Sequence, residues 1–420
     1  MSVKIAIIGA GPAGCMLARL LLDKPNINIT VFEGEPSINF RAQGGSLDLH
    51  ERAGLAALKA ANLYEEFLKH ARFEGEALLV CDEKLKPYIK IPPQAENKST
   101  GRPEIDRSAL RKMLLESLPS GVVQWNRRLR RVGPGENQKQ DLEFMDGKIE
   151  PGFDLVVGAD GTWSKVRPAL SDTQPEYAGI GGFSLGIPNA AQTAPECSVL
   201  LKGGSVFAYS TGCMLVGQQQ GDGSIDVGVW RARPEGWEET VDYDLKDGAA
   251  VRQAQKQEFA VYAPELLELI EKAVDEPHMA ARSYYSLPVG FHWDHKPGLT
   301  LIGDSAHVIC PFTGEGVNQA LTDSMLLSQA ILKAKSAADL DRQIRVYERD
   351  LFSRAAVFQE RAALVAKTMF FTEGSPASTI EIYTMQNLKN YLSPTGYFLL
   401  YPVLATAVYG FFFWQKRFRH

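Results

Sequence analysis

Three stretches of this 420-residue chain carry residue types and spacings that can do chemistry. The first is Gly9-Ala-Gly11-Pro-Ala-Gly14, which follows the apolar run Val3–Ile8 and opens a helically spaced run over residues 12–22. A dinucleotide fingerprint needs this placement between strand and helix. Gly9 permits a tight turn, Gly11 leaves the backbone open to a pyrophosphate, and Gly14 lets the helix pack closely on the strand. The helix N-terminus then offers free N–H groups and a partial positive charge to the phosphates. Glu33 closes a second apolar run, residues 27–33, about 20 residues further on, where a carboxylate can bind ribose hydroxyls. Taken without the flanking elements, the glycines would equally fit a turn in an ordinary α/β domain.

The second stretch is Leu299-Thr-Leu-Ile-Gly303-Asp304-Ser-Ala306-His307, followed by Pro311-Phe-Thr-Gly314-Glu-Gly316-Val317-Asn318 at the head of a long helix. Asp304 stands at a strand end, where a carboxylate can accept hydrogen bonds from a ribityl chain. Gly314 and Gly316 let backbone N–H groups approach a flat ring. The helix dipole favours negative charge there. A reduced flavin carries such charge at its N1–C2=O edge and a nicotinamide does not, so this motif selects a flavin. The third stretch is Asp160-Gly161-Thr-Trp-Ser164-Lys-Val-Arg167, after the strand-like run 153–159. Asp160 can hold Arg167 or Ser164 in place and so shape a loop beside the pyrophosphate.

In this order the three motifs resemble those of the group A FAD-dependent monooxygenases, the para-hydroxybenzoate hydroxylase fold, over residues 1 to about 370. Gly44-Gly45-Ser-Leu-Asp48-Leu-His50, Pro103-Glu-Ile-Asp106-Arg107-Ser-Ala-Leu110-Arg111 and Pro311-Phe312 are similar to the tetracycline-inactivating members. The resemblance implies bound FAD, NADPH or NADH as co-substrate, and O2. The implied reaction is hydroxylation or epoxidation of a small, aromatic or polycyclic, apolar metabolite; a flavin-linked oxidase or reductase on the same scaffold is the alternative. It also implies roles. Arg41 and Arg107 would contact FAD, with Arg111 either a further contact or a solvated helix residue. Asp304 would bind the ribityl chain, Pro311, Gly314, Gly316, Val317 and Asn318 would lie along the isoalloxazine, and Asp160 and Arg167 would serve the Asp-Gly motif. No catalytic protein residue and no metal is expected, because the flavin does the chemistry and the protein orients it and excludes water. His50 and His307 read as structural; His292 and His295 receive no role. One departure stands out: relatives often carry an arginine directly after the strand-ending Glu, and this chain has Gly34.

These residues need a scaffold. The expected class is α/β: a Rossmann-type FAD-binding domain with an inserted, mainly antiparallel β-sheet substrate domain and a C-terminal helical region. The expected boundaries are 1–75, 100–175 and 285–372 for the first, 76–99 and 176–284 for the second, and 373–420 for the tail. Helices are expected at 46–62, 106–118, 250–273, 317–335 and 340–369, strands at 225–230 and 299–302, and a polar loop at 97–103. Alternation over 225–230 puts Asp226, Gly228 and Trp230 on one strand face; in the resembled family that sheet covers the flavin, so this face is the expected substrate lining. With 45 basic against 50 acidic residues and a net charge of −5, no basic face and no nucleic-acid partner is expected. Five scattered cysteines fit a reduced, cytosol-facing compartment. Residues 397–414 are uncharged, aromatic at both ends and followed by Lys416, Arg417 and Arg419. That pattern is close to a membrane span and marks a membrane anchor; a helix buried against the catalytic part is the alternative.

Overall fold

The computed structural model describes residues 2–38, 40, 45–93, 102–274, 279–389 and 392–418. The chain forms two units.

The first comprises Met1–Arg72, Thr100–Ala178 and Tyr285–Ala362. Its centre is a five-stranded sheet in the order Leu299–Leu301, Leu155–Gly158, Val3–Ile8, Ile27–Phe32, Val123–Gln124. Every pair in it is parallel. Ile5, Ile7, Val156, Val157 and Leu301 are fully buried, as expected where helices cover both faces of a parallel sheet. Helix Pro12–Leu21 makes the first crossover, burying Cys15, Met16, Leu17 and Leu21. Helix Gly316–Lys333 packs on it, and Ser324 Oγ donates to the Ala13 carbonyl at 2.8 Å. A three-stranded antiparallel sheet, Leu129–Pro134, Gln140–Phe144 and Ile149–Phe153, completes the unit with a two-stranded one, Ser46–Asp48 against Glu104–Asp106.

That last pair corrects the helix expected over 46–62. Residues 46–48 form a strand, and the helix is confined to Gly54–Ala60. Buried Leu47 and Leu49 alternate with partly exposed Ser46 and Asp48, which is strand and not helix periodicity. The link between strand and helix is pinned by Asn318, whose Oδ1 accepts the N–H groups of His50 at 2.9 Å and Gly54 at 3.2 Å. Helix 106–118 is likewise shorter, Arg107–Glu116, because residues 104–106 are taken by the partner strand. Most of the expected loop 97–103 lies outside the described residues.

The second unit comprises Phe73–Ser99, Gly179–Tyr284 and Ala363–His420. Its seven-stranded sheet runs Ala280–Ser286, Glu176–Ile187, Ile225–Ala232, Cys213–Gln219, Ser205–Ser210, Leu78–Asp82, Pro87–Ile91. Ser205–Ser210 and Leu78–Asp82 pair in parallel, while the central strands pair antiparallel. Phe183, Leu185, Ile187, Ile225, Val227 and Val229 bury one face of it in a core shared with Val251, Leu266, Leu269 and Ile270. These last four sit on two helices, Gly248–Glu258 and Pro264–Glu271, where one was expected over 250–273. Pro264 lacks the N–H an interior turn needs and starts a new helix instead.

Helix Ala337–Val365 runs into a π-helical turn, Ala366–Phe371. The chain ends in the 25-residue helix Pro394–Phe418. Sequence reading set the tail apart from residue 373, whereas the contacts join everything from Ala363 onward to the sheet unit. The docking is narrow. Phe412 is buried, Gln415 Nε2 donates to the Pro87 carbonyl at 2.9 Å, and Lys416 Nζ lies 2.6 Å from Glu381 Oε1.

Candidate cofactor site

The fingerprint folds as strand, turn and helix. Gly9 has φ +106°, and a Cβ on Gly14 would lie 2.0 Å from the Gly9 carbonyl oxygen. The protein's own backbone therefore demands these two glycines. Gly11 differs: a Cβ there would meet nothing within 4 Å. As N-cap it supplies no side-chain acceptor, so the first-turn donors are left to another partner. An open cradle lined by unclaimed N–H groups at a helix N-terminus fits the pyrophosphate of FAD.

Glu33 ends the second strand with both carboxylate oxygens engaged. Oε2 accepts the Ala10 N–H at 2.7 Å and Oε1 the Glu35 N–H at 2.9 Å, tying the strand end to the glycine turn. Arg111 braces the same turn. It is buried, Nη2 lies 2.7 Å from Glu35 Oε2, and Nε donates to the Ala10 carbonyl at 3.3 Å. Arg111 is thus no solvated helix residue. Arg107 is exposed at the start of the helix it opens, and its backbone N–H donates to Gly45 at 3.0 Å. Arg41 lies outside the described residues.

At the flavin end, Gly303 (φ +59°) turns the chain into the short helix Asp304–His307. Asp304 is exposed at its first position. Behind it His307 Nε2 lies 2.6 Å from Asp323 Oδ2, which also accepts the Gly303 N–H at 3.0 Å. Arg354 Nη1 reaches Asp323 Oδ1 at 3.0 Å. Burial pulls the His307 pKa down, but the Asp323 carboxylate outweighs it and the net shift is upward. Burial works against the Asp323 charge too, yet His307 and Arg354 hold its pKa below the ordinary value. The cluster is a brace beneath the Gly-Asp turn.

Pro311 is exposed in a 3-10 turn, Pro311–Thr313. Gly314 follows with φ +65°, and a Cβ there would come within 3.0 Å of Asp48 Oδ1. Gly316 opens helix Gly316–Lys333 with nothing near its missing Cβ and no side-chain cap. Val317 is half-buried beside it. Asn318 contributes its side chain as well as backbone: Nδ2 donates to the Asp48 carbonyl at 2.9 Å, beside the two bonds its Oδ1 accepts. His50 lies 2.9 Å from Asp48 Oδ2 and 3.5 Å from Glu315 Oε2, and Glu315 pairs with Arg361 at 3.1 Å. The residues present fit a flat ring held at a helix N-terminus and a ribityl chain held at Asp304.

In the Asp-Gly motif, Asp160 holds Ser164 rather than Arg167. Its Oδ1 accepts Ser164 Oγ at 2.6 Å and Ser305 Oγ at 3.1 Å, and its Oδ2 accepts the Lys165 N–H at 2.6 Å. Burial pushes its pKa up against these donors. Arg167 is buried and donates instead to the carbonyls of Ser305 at 3.1 Å and Thr162 at 2.7 Å. The two residues fasten the Asp160 loop to the Gly303-Asp304 turn through Ser305.

In the sheet unit, Asp226, Gly228 and Trp230 point away from the core face formed by Ile225, Val227 and Val229. Trp230 stacks on Tyr284 with ring centroids 4.4 Å apart, and its Nε1 would lie 2.4 Å from a Cβ on Gly228. Sequence reasoning missed several partners. Arg72 with Glu104 and Asp106, Arg111 with Glu35, and Arg354 with Asp323 are separated by 31 to 76 residues. No short motif carries such pairs.

The model of the FAD binding domain family matches residues 2–359. Monooxygenase penA of Penicillium thymicola is 31% identical over 373 residues, 78% of this chain and 84% of that protein. Among solved structures, Klebsiella pneumoniae HpxO complexed with FAD and uric acid superposes with a TM-score of 0.72 at 17% identity, covering 97% of each chain. Tetracycline destructase Tet(51) does so with a TM-score of 0.67 at 19% identity, covering 93% of this chain and 96% of that one. With its fingerprint, Asp-Gly and Gly-Asp motifs assembled as described, the chain belongs to the FAD binding domain family, as an FAD-dependent monooxygenase.

Proposed function

We propose that the enzyme consumes one NADPH or NADH, one O2 and one proton per turnover, placing one oxygen atom on a small apolar metabolite and the other in water. The observation that carries this reading is the pairing of two uncapped, glycine-led helix N-termini in one unit, at Gly11 and Gly316, with the exposed Asp304 carboxylate. The first suits a pyrophosphate and the second the anionic edge of a reduced ring. In this reading Gly9, Gly11, Gly14 and Glu33 serve the adenosine and pyrophosphate half, Arg107 contacts FAD, Arg41 serves near the flavin, and Asp160 and Arg167 shape the loop beside the pyrophosphate. Asp304 serves the ribityl chain, and Pro311, Gly314, Gly316, Val317 and Asn318 serve the ring. Bound FAD supplies the electron transfer and oxygen activation. The protein's share is to fix the ring against the Gly316 helix, hold the ribityl chain at Asp304 and exclude water.

The substrate reading is a planar aromatic or polycyclic molecule. Its support is the aromatic pair on that face, Trp230 stacked on Tyr284 with ring centroids 4.4 Å apart. A panel of phenols and polycyclic metabolites tests it: members of the right class accelerate flavin reduction by the nicotinamide, and uniform indifference to the panel contradicts it.

The reading extends to a cytosol-facing membrane. Among the described residues, one helix is long and apolar enough to cross a bilayer, and it is almost wholly exposed. Phe398 is 79% exposed and Phe413 69%. Both helix ends are tied to the same unit, through the Tyr397 hydroxyl to the Met385 carbonyl and through Gln415 and Lys416. A helix so tied suits a position in the interface plane, with the exposed Arg417 toward lipid headgroups.

A further inference from the structure

The strand-ending Glu33 is followed by a glycine, and the space above that glycine is filled from elsewhere. A Cβ on Gly34 would lie 3.4 Å from Arg128 Cβ and 3.5 Å from Arg128 Nε. The arginine side chain lies across the bare backbone of residue 34. It is brought there by a short ladder: the Glu33 N–H donates to Gln124, and the N–H groups of Arg127 and Asn126 donate back to the carbonyls of Glu33 and Glu35. Asn126 takes the left-handed conformation (φ +59°) that turns the chain at this point, and Met145 N–H holds the Arg128 carbonyl at 2.9 Å.

Arg128 also differs from its neighbours in what it does with its charge. Arg127 pairs with Glu150 at 2.7 Å, Arg130 with Glu143 at 3.1 Å and Arg131 with Glu143 at 2.6 Å. Among the described residues Arg128 has no carboxylate partner. A cation without a carboxylate partner is thus held just past the end of strand Ile27–Phe32, over the bare backbone of Gly34. Glu33 in turn is fixed to the fingerprint turn through Ala10.

We propose that Arg128 is a recognition residue for the adenosine half of FAD, and that Gly34 exists to let it reach there. The inference rests on the FAD reading of the fingerprint. It adds a residue from a segment, the run between strands Val123–Gln124 and Leu129–Pro134, that no nucleotide motif includes. A guanidinium at this edge offers a phosphate or ribose oxygen charge-assisted donors and offers a purine a planar cation to stack on.

The test is titration of flavin-free protein with FAD, FMN and ADP, followed by flavin fluorescence and, for ADP, by competition. Arg128 is exposed, so Arg128→Ala should leave thermal unfolding within about 2 °C of wild type, as for a surface substitution. It should weaken FAD and ADP by about tenfold, the loss of one charge-assisted contact, and leave FMN unchanged. Gly34 is outside the left-handed region, so an arginine fits its backbone. The double variant Gly34→Arg with Arg128→Ala should recover most of the FAD and ADP affinity by supplying the same charge from the other strand. FAD affinity within twofold of wild type in Arg128→Ala overturns the proposal. Equal loss of FMN and FAD overturns it too, since that is a structural effect and not recognition of the adenosine half. Protein that binds no FAD in any form would instead overturn the cofactor reading beneath it.

Discussion

His307 and Asp323 form a buried pair, Nε2 to Oδ2 at 2.6 Å, directly behind the turn that presents Asp304. His307 has its pKa raised, so its contribution to stability is complete below the unfolded imidazole value near 6.5 and is lost as pH rises through the folded value. Asp323 has its pKa lowered, so its contribution is complete above the unfolded value near 3.8 and is lost as pH falls through the folded value. The full contribution therefore lies between about pH 4 and 6.5. Asp323→Asn should cost about 3–5 kcal/mol at pH 5.5, since it strands a buried cation. It should also flatten the decline expected of wild type as pH rises from 5.5 to 8.5. Denaturant titrations at the two pH values check this, and an unchanged pH dependence in the variant contradicts it.

The last two glycines of the fingerprint separate fold from function. Gly14→Ala drives a Cβ to within 2.0 Å of the Gly9 carbonyl, so it should destabilise the flavin-free protein by at least about 1–3 kcal/mol, the range of overpacking. Gly11→Val meets no protein atom within 4 Å at Cβ and sits in extended backbone that valine accepts. Its flavin-free melting temperature should match wild type while FAD affinity falls at least about tenfold, a loss of about 1.4 kcal/mol. Melting curves with and without added FAD read both effects. A Gly11→Val protein that keeps FAD at wild-type affinity would show that no pyrophosphate approaches the backbone at Gly11.

Asp304→Ala tests the ribityl contact. The side chain is exposed, so melting of the flavin-free protein should move little. FAD affinity should fall by about 10- to 100-fold, corresponding to the 1.5–3 kcal/mol of a hydrogen bond to a charged group. Equilibrium dialysis decides. No change in affinity would show that the carboxylate faces only solvent.

The C-terminal helix offers a test that leaves its docking intact. Phe398→Asp with Phe413→Asp alters two exposed positions and spares Phe412, Gln415 and Lys416. Wild type should sediment with vesicles rich in anionic lipid, and the double variant should remain in the supernatant as yellow, folded protein. Wild type that stays in the supernatant would make the exposed face an interface for something other than lipid.

Much of the fold was legible from local patterns, because the motif-bearing elements are contiguous in sequence. The fingerprint, Gly303-Asp304 and the Gly314–Gly316 turn each lie within a few consecutive residues, where spacing alone speaks. What could not be read was long-range. Asn318 reaches back to His50 and Gly54 across more than 260 residues, which fixes strand Ser46–Asp48 where a helix was expected. Arg111 shows the same limit. Helical spacing leaves it ambiguous between solvent and core, and only Glu35, 76 residues earlier, makes it a buried brace. Pro264 was visible and should have split the helix 250–273, because the proline effect is local.

Coupling of a nicotinamide to O2, with oxygenation of the substrate on bound FAD, is open to one direct test. The direct measurement is turnover of an accepted substrate under 18O2 with the FAD-loaded enzyme. Nicotinamide consumption, O2 uptake and product should be followed together. One labelled atom is expected in each product molecule, with one nicotinamide oxidised per O2 consumed. Product free of label, with O2 recovered as hydrogen peroxide, would contradict it and assign the chain to the oxidases.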